Sequence, residues 1–347
     1  MASVRPINRG QAKIMSLLPG LLLGVVGGML NGSFTAPMKF SSNWAWENSW
    51  LIYSVIGLLC IPIAIALIFV PDLVAVYRAA SPGAVALAML FGFGWGVGSV
   101  LFGLGIHMLG MALGFAIILG LTAALGSLIP LIVLSPQALL TAHGVSLLAG
   151  LAIVVFGIIV CAKAGAMKNA SSASEGTRYR AGFLICIGSG IFSSMLNLAL
   201  AFGAPIAEEA MQAGATPGAA QNAIWALAVG AGSLANIGYS LLLLFRNKSW
   251  NRFSTAGSGK NILLATAMGV LWMAGVSVYG AGAADLGGLG PVIGWPLFMS
   301  TVIITGSVWG FATGEWRQAH PAALRLNLLG VALLIAAIAV ISIGSAR

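Results

Sequence analysis

Ten apolar stretches, each long enough to cross the roughly 30 Å hydrocarbon core of a bilayer, set what this chain can fold into. They cover residues 14–38, 50–70, 83–107, 111–134, 144–163, 181–202, 218–245, 261–282, 290–312 and 322–343. In hydrocarbon, backbone N–H and C=O groups have no water to bond, so a spanning segment is a helix or part of a closed barrel. The stretches lack the period-two alternation of barrel strands. They predict helices, and the whole chain reads as an all-α integral membrane protein with ten transmembrane helices. Composition agrees: 59% of the 347 residues are hydrophobic and 7% charged, against roughly 25% charged in soluble domains. The basic start, "MASVRPINRGQAK", carries no small-residue cleavage signal and runs into the first stretch, which reads as a retained helix.

The net charge is +9. The Lys and Arg residues lie in short connections between apolar stretches, the pattern of a topology signal rather than of a nucleic-acid surface. The odd-numbered connections hold eleven: Lys39, Lys163, Lys168, Arg178, Arg180, Arg246, Lys248, Arg252, Lys260, Arg317 and Arg325. The termini and even connections hold five: Arg5, Arg9, Lys13, Arg78 and Arg347. The positive-inside rule therefore puts the odd connections in the cytoplasm and both termini outside. Cys60, Cys161 and Cys186 are isolated from one another and form no disulfide or metal pattern.

The glycine-rich "FGFGWGVGSVLFGLGIHMLG" (Phe91–Gly110) is written again as "MGVLWMAGVSVYGAGAADLG" (Met268–Gly287). At an offset of 177 residues, Gly92, Trp95, Gly98, Phe102, Gly103, Gly105, Leu109 and Gly110 meet Gly269, Trp272, Gly275, Tyr279, Gly280, Gly282, Leu286 and Gly287. The next stretch repeats at an offset of 180, where Gly110, Gly114, Gly126 and Ser127 meet Gly290, Gly294, Gly306 and Ser307. "GGMLNGS" (Gly27–Ser33) likewise sits against "SGIFSSM" (Ser189–Met195). Residues 1–173 and 174–347 then form two five-helix copies. Because five is odd, the second copy enters the membrane from the opposite side, an inverted repeat. Two such halves can exchange conformations and open a midplane site to alternate sides. Glycine suits this scaffold because membrane helices associate by close packing.

Polar residues inside a bilayer are costly unless they face protein or a water-filled cavity. Asn31, Ser33, Ser193, Ser194, Asn197, Asn236 and Tyr239 qualify, with Trp95, Trp272, Tyr279 and Trp295 as aromatic neighbours. Amides and hydroxyls beside indole faces suit a neutral polyol, whose hydroxyls take hydrogen bonds and whose C–H face stacks on a ring. Interhelical hydrogen bonding explains each polar residue taken alone. The substrate-lining set on this reading is Asn31, Trp95, Ser194, Asn197, Asn236, Trp272 and Tyr279, with Trp95 and Trp272 flanking the ligand. All seven acidic residues, Glu47, Asp72, Glu175, Glu208, Glu209, Asp285 and Glu315, fall near predicted helix ends. Glu208, after "AFGAP", is the best group to carry a coupling proton, followed by His107 and Asp285. "STAGSGKN" (Ser254–Asn261) fails as a phosphate loop because it lacks the first glycine and ends in Asn261. No metal cluster and no Ser–His–Asp set is visible, which argues against an enzyme and against a cofactor.

Several of these segments resemble the bacterial L-rhamnose–proton symporters of the drug/metabolite transporter superfamily. They are Phe91–Pro130, "APMKF" with "WAWENSW", "GIFSSMLNLAL" with the following "AP" and Glu208, "LANIGY" and "GEW". The likeness runs over residues 17–343. It implies ten helices in two inverted halves around a central cavity, and inner-membrane uptake of a 6-deoxyhexose such as L-rhamnose or L-fucose with a proton as coupling ion. Lys39, Glu47, Trp95, Asn236, Glu208 and Glu315 match family-like positions. His107, Ala283 and "GPVIGWPL" stand where the family can show charged or bulky polar residues. The implied partners are a small sugar and the lipid bilayer; a homodimer is compatible with the sequence. The rival readings are an exporter or exchanger on the same fold, a membrane-embedded transferase, and a non-transporting scaffold.

Overall fold

The computed structural model describes residues 9–109, 111–168, 176–314, 316–317 and 319–346, and the protein is helical across them. The long helices are α1 (Arg9–Gly32), α2 (Trp46–Phe69), α3 (Pro82–Leu109), α4 (Met111–Leu134), α5 (Ala142–Lys168), α6 (Gly176–Phe202), α7 (Pro217–Arg246), α8 (Ser258–Asp285), α9 (Gly290–Ala312) and α10 (Pro321–Ala346). Ten helices among the described residues are long and apolar enough to cross a membrane, in agreement with the ten stretches. Their outward surface is apolar: Leu67 is 61% exposed, Ile68 72%, Leu90 62% and Leu263 69%. A water-facing monomer avoids such continuous apolar cover; a bilayer requires it.

Three features differ from the sequence reading. α2 begins at Trp46, four residues before the predicted stretch, so Glu47 lies in its first turn. Tyr53–Cys60 within α2 is π-helical. Two short helices, Leu73–Ala79 and Ala204–Gln212, occupy connections. Asp72 caps the first, its carboxylate accepting from Ala75 N, and Tyr77 donates from it to the Ala223 carbonyl at 2.8 Å. Burial pushes the Tyr77 phenol upward, so it remains a donor.

Helices approach most closely where side chains are absent. α3 packs on α6 and α7, α1 on α8 and α9, and α5 on α10. A Cβ on Gly92 would lie 2.0 Å from Ala228 O, and one on Gly96 2.2 Å from Gly232 O, so the α3–α7 crossing is backbone against backbone. Gly57 of α2 and Gly269 of α8 meet the same way, with a Cβ on Gly57 falling 2.4 Å from Gly269 Cα. Small residues are what allow this contact, since lipid supplies no hydrophobic drive between helices.

Candidate functional site

The bundle interior holds three polar and aromatic layers, stacked between the two faces. Nearest the face carrying the α1–α2 and α7–α8 connections is Asn236 of α7, fully buried. Its Oδ1 accepts from Trp50 Nε1 at 3.0 Å and from Ser99 Oγ at 3.1 Å. Its Nδ2 donates to Gly232 O at 3.2 Å and to Gly96 O at 3.5 Å. Trp50 in turn stacks on Trp46, with centroids 4.6 Å apart, and leans on Tyr53 at 4.9 Å.

The middle layer is the tryptophan pair matched in the sequence at an offset of 177 residues. Trp95 of α3 and Trp272 of α8 stack with centroids 4.9 Å apart and planes 29° from parallel. Both are buried. The rings touch each other, so in this conformation nothing lies between them; a ligand here meets the pair from outside. Asn31 Nδ2 donates to Trp272 O at 3.4 Å.

The third layer joins Asn197 of α6 to Tyr279 of α8, whose hydroxyl donates to Asn197 Oδ1. Asn197 Nδ2 donates to Gly126 O at 2.7 Å and to Pro291 O at 2.8 Å. The Tyr279 ring lies among Trp225, Trp295 and Phe298, with the nearest centroid, that of Phe298, at 4.8 Å. Trp295 Nε1 donates to Thr122 O at 2.9 Å.

Beyond this layer, at the face of the α6–α7 and α8–α9 connections, a cavity of about 360 Å³ opens. Glu208, Gln221, Ala283, Ala284, Pro291 and Val292 help to line it. Its floor borders the third layer, because the Pro291 carbonyl is bonded by Asn197 and Ala283 lies one turn beyond Tyr279. Glu208 is exposed on the short helix Ala204–Gln212 and is among the residues that line the cavity.

Of the residues singled out from sequence, Asn31, Trp95, Asn197, Asn236, Trp272 and Tyr279 converge on this interior. Ser194 is buried but bonds back to Ile191 O at 2.7 Å within its own helix. The side chain of His107 lies outside the described residues, as do Gly110 and Glu315. Sequence reasoning did not single out Trp50, Ser99 or Gln221, and it left Glu47 at a helix end. A readable signal was present for two of them: Trp46, Glu47 and Trp50 share helical spacing, which continues α2 upstream. No group of three or more potential metal ligands occurs among the described residues.

A family profile described as L-rhamnose-proton symport protein (RhaT) matches residues 13–347. L-rhamnose-proton symporters of Klebsiella pneumoniae, Mannheimia succiniciproducens and Escherichia coli are similar to this chain. The Klebsiella protein is 28% identical over 336 residues, 94% of this chain and 98% of its own. The Mannheimia protein is 27% identical over 341 residues, 96% and 99% of the two chains. The Escherichia protein is 27% identical over 337 residues, 94% and 98%. A solved crystal structure at 18% identity covers 92% of this chain and 95% of its own with a TM-score of 0.48, too low to assign an architecture. With the profile matching nearly end to end, the chain belongs to the L-rhamnose-proton symport protein (RhaT) family, a family of transporters and not of enzymes.

Proposed function

We propose that this protein is a secondary transporter that takes up a neutral sugar, L-rhamnose or a related 6-deoxyhexose such as L-fucose, together with a proton, by alternating access across a bacterial inner membrane. The observation that carries the reading is the cavity at one face, whose lining residue Pro291 is bonded through its carbonyl to Asn197 of the buried amide–phenol layer. Relatives named L-rhamnose-proton symporter at 27–28% identity over nearly whole chains support the choice of cargo.

The inverted arrangement of 1–173 and 174–347 is supported by contacts that recur between the halves. Gly98 faces Ser193 across α3–α6, and Gly275 faces Asn31 across α8–α1. The offset of 177, with Gly27 aligned on Ser189, makes these one contact written twice. The same alignment pairs Gly105 at Cys186 with Gly282 at Gly24, and Gly190 at Leu121 with Gly28 at Thr301. The eleven-to-five distribution of Lys and Arg supports termini in the periplasm.

The sugar enters through the cavity and meets Asn197 and Tyr279 first. Asn31, Ser194 and Asn236 bond its hydroxyls deeper in the interior, and the Trp95–Trp272 pair supplies an aromatic wall for its C–H face. Glu208 at the cavity is the coupling carboxylate, with His107 second. The test is sugar-induced current in proteoliposomes holding the purified protein, with L-rhamnose, L-fucose, L-arabinose, D-glucose and an amino acid, with and without a pH gradient. A deoxyhexose current that grows with external acidity is expected. Silence for every sugar from folded protein would move the reading to an exporter or exchanger of another metabolite.

A further inference from the structure

The two faces of the bundle differ, and the difference centres on a carboxylate to which the sugar–proton reading gives no task. Glu47 is 4% exposed. Its Oε1 accepts from Ser249 Oγ at 2.6 Å and from Asn247 Nδ2 at 3.0 Å, both in the α7–α8 connection. Beside it, Asn48 Nδ2 donates to Ser249 O at 3.1 Å. Ser42 N donates to Asn261 Oδ1 at 3.3 Å while Asn261 Nδ2 returns a bond to Ser42 O at 2.7 Å. Asn43 Nδ2 donates to Ala256 O at 3.4 Å, and the Arg252 guanidinium acts on Glu47 electrostatically. The α1–α2 connection is also tied to α9 and its end, through Trp309 Nε1 to Ser33 Oγ at 2.8 Å and Lys39 Nζ to Thr313 Oγ1 at 2.9 Å.

Every one of these bonds runs from the first half of the chain to the second, and all lie on one face. The cavity lies at the other. A carboxylate accepts stronger hydrogen bonds than a neutral oxygen, and a buried one stripped of its donors is costly. Glu47 therefore stays buried only while the α7–α8 connection is seated on it.

We propose that Glu47 is the positioning residue of a latch, which closes this face of the bundle while the opposite face is open. The latch rests on the alternating-access reading and adds to it which contact must part before cargo leaves. Glu47 touches no cargo; it acts by holding one connection against the other.

The test uses the full chain with Cys60, Cys161 and Cys186 replaced by alanine. Ser240 is fully buried one turn beyond Asn236, on the latched side. A Ser240→Cys thiol should be labelled about tenfold faster by a maleimide when Glu47→Gln is added, because a closed population is released. Glu47→Asp, which keeps the charge, should give an intermediate rate. Equal rates in all three would overturn the latch. Ala284→Cys in the open cavity should be labelled more slowly when Glu47→Gln is added, because the cavity face closes as the latched face opens. Faster labelling at both positions would overturn the latch, and an unchanged thermal unfolding temperature checks that each variant is folded. A second variant leaves Glu47 in place and joins Asn43→Cys to Ala256→Cys with a short, reducible thiol cross-linker. The bridged protein should still bind L-rhamnose yet lose uptake until a reductant cleaves the bridge. Uptake unaffected by the bridge, or a pair that never bridges, would overturn the latch. If the unbridged protein neither binds nor carries any sugar, the sugar reading fails alone, because the labelling contrast is read without substrate.

Discussion

At the scale of single residues, the amides at the centre of this apolar bundle persist because they are partnered, while Trp225 Nε1 and the hydroxyls of Ser54, Ser127 and Ser300 are buried with no hydrogen-bond partner. Asn236 gives two N–H bonds to carbonyls and receives bonds from Trp50 and Ser99, which fills the capacity of a side-chain amide. Asn236→Ala would leave the Trp50 and Ser99 donors without their acceptor inside a closed layer. A loss of about 1–3 kcal/mol is expected, read as a lower unfolding temperature in detergent, with Ser99→Ala costing less because it removes one bond of the four. That Asn236 lies mid-helix was legible in the sequence. That its partner is Trp50, 186 residues away, was not, because helical period locates a residue on its own helix and says little about the neighbour that helix meets.

At the scale of elements, glycines that look alike in the sequence carry different loads. A Cβ on Gly269 would sit 2.5 Å from Gly57 Cα, and a backbone atom cannot swing aside. Gly269→Ala must push α2 from α8, and a loss of about 1–3 kcal/mol is expected, as for other overpacked interiors. Gly230 has nothing within 4 Å of its Cβ position. Gly230→Ala should leave stability unchanged or raise it by up to about 1 kcal/mol, the helix-propensity difference. Thermal unfolding of the two variants side by side checks both. The ten spans were legible because hydrocarbon thickness fixes their length. The glycine–tryptophan frame was legible because a match between two stretches of one sequence needs no knowledge of contacts. The π-helical stretch Tyr53–Cys60 and the short helices Leu73–Ala79 and Ala204–Gln212 were not. The former depends on packing around α2, and the latter are too short to stand out by period. The same limit applies to Trp95 and Trp272: their match at an offset of 177 was readable, their mutual stacking was not.

At the scale of the whole molecule, an even number of spans returns the chain to the side where it began. Cell-impermeant reagents should therefore reach tags at both ends of the protein in intact cells, and should miss a tag inserted in the α7–α8 connection; the opposite pattern would reverse the sidedness drawn from Lys and Arg. The partnered interior described above has a consequence for how tightly such a bundle can hold anything. Asn31, Ser194, Asn197 and Asn236 already have protein partners. A guest hydroxyl bonds the filled Asn236 amide, or receives an N–H of Asn197, only by displacing a bond the protein already makes to itself, so host bonds are exchanged for guest bonds there and little net free energy is gained. Recognition in such a bundle comes from shape and bond pattern, while the hold stays loose. Loose hold favours a carrier, which must give up on one side of the membrane what it gathered on the other.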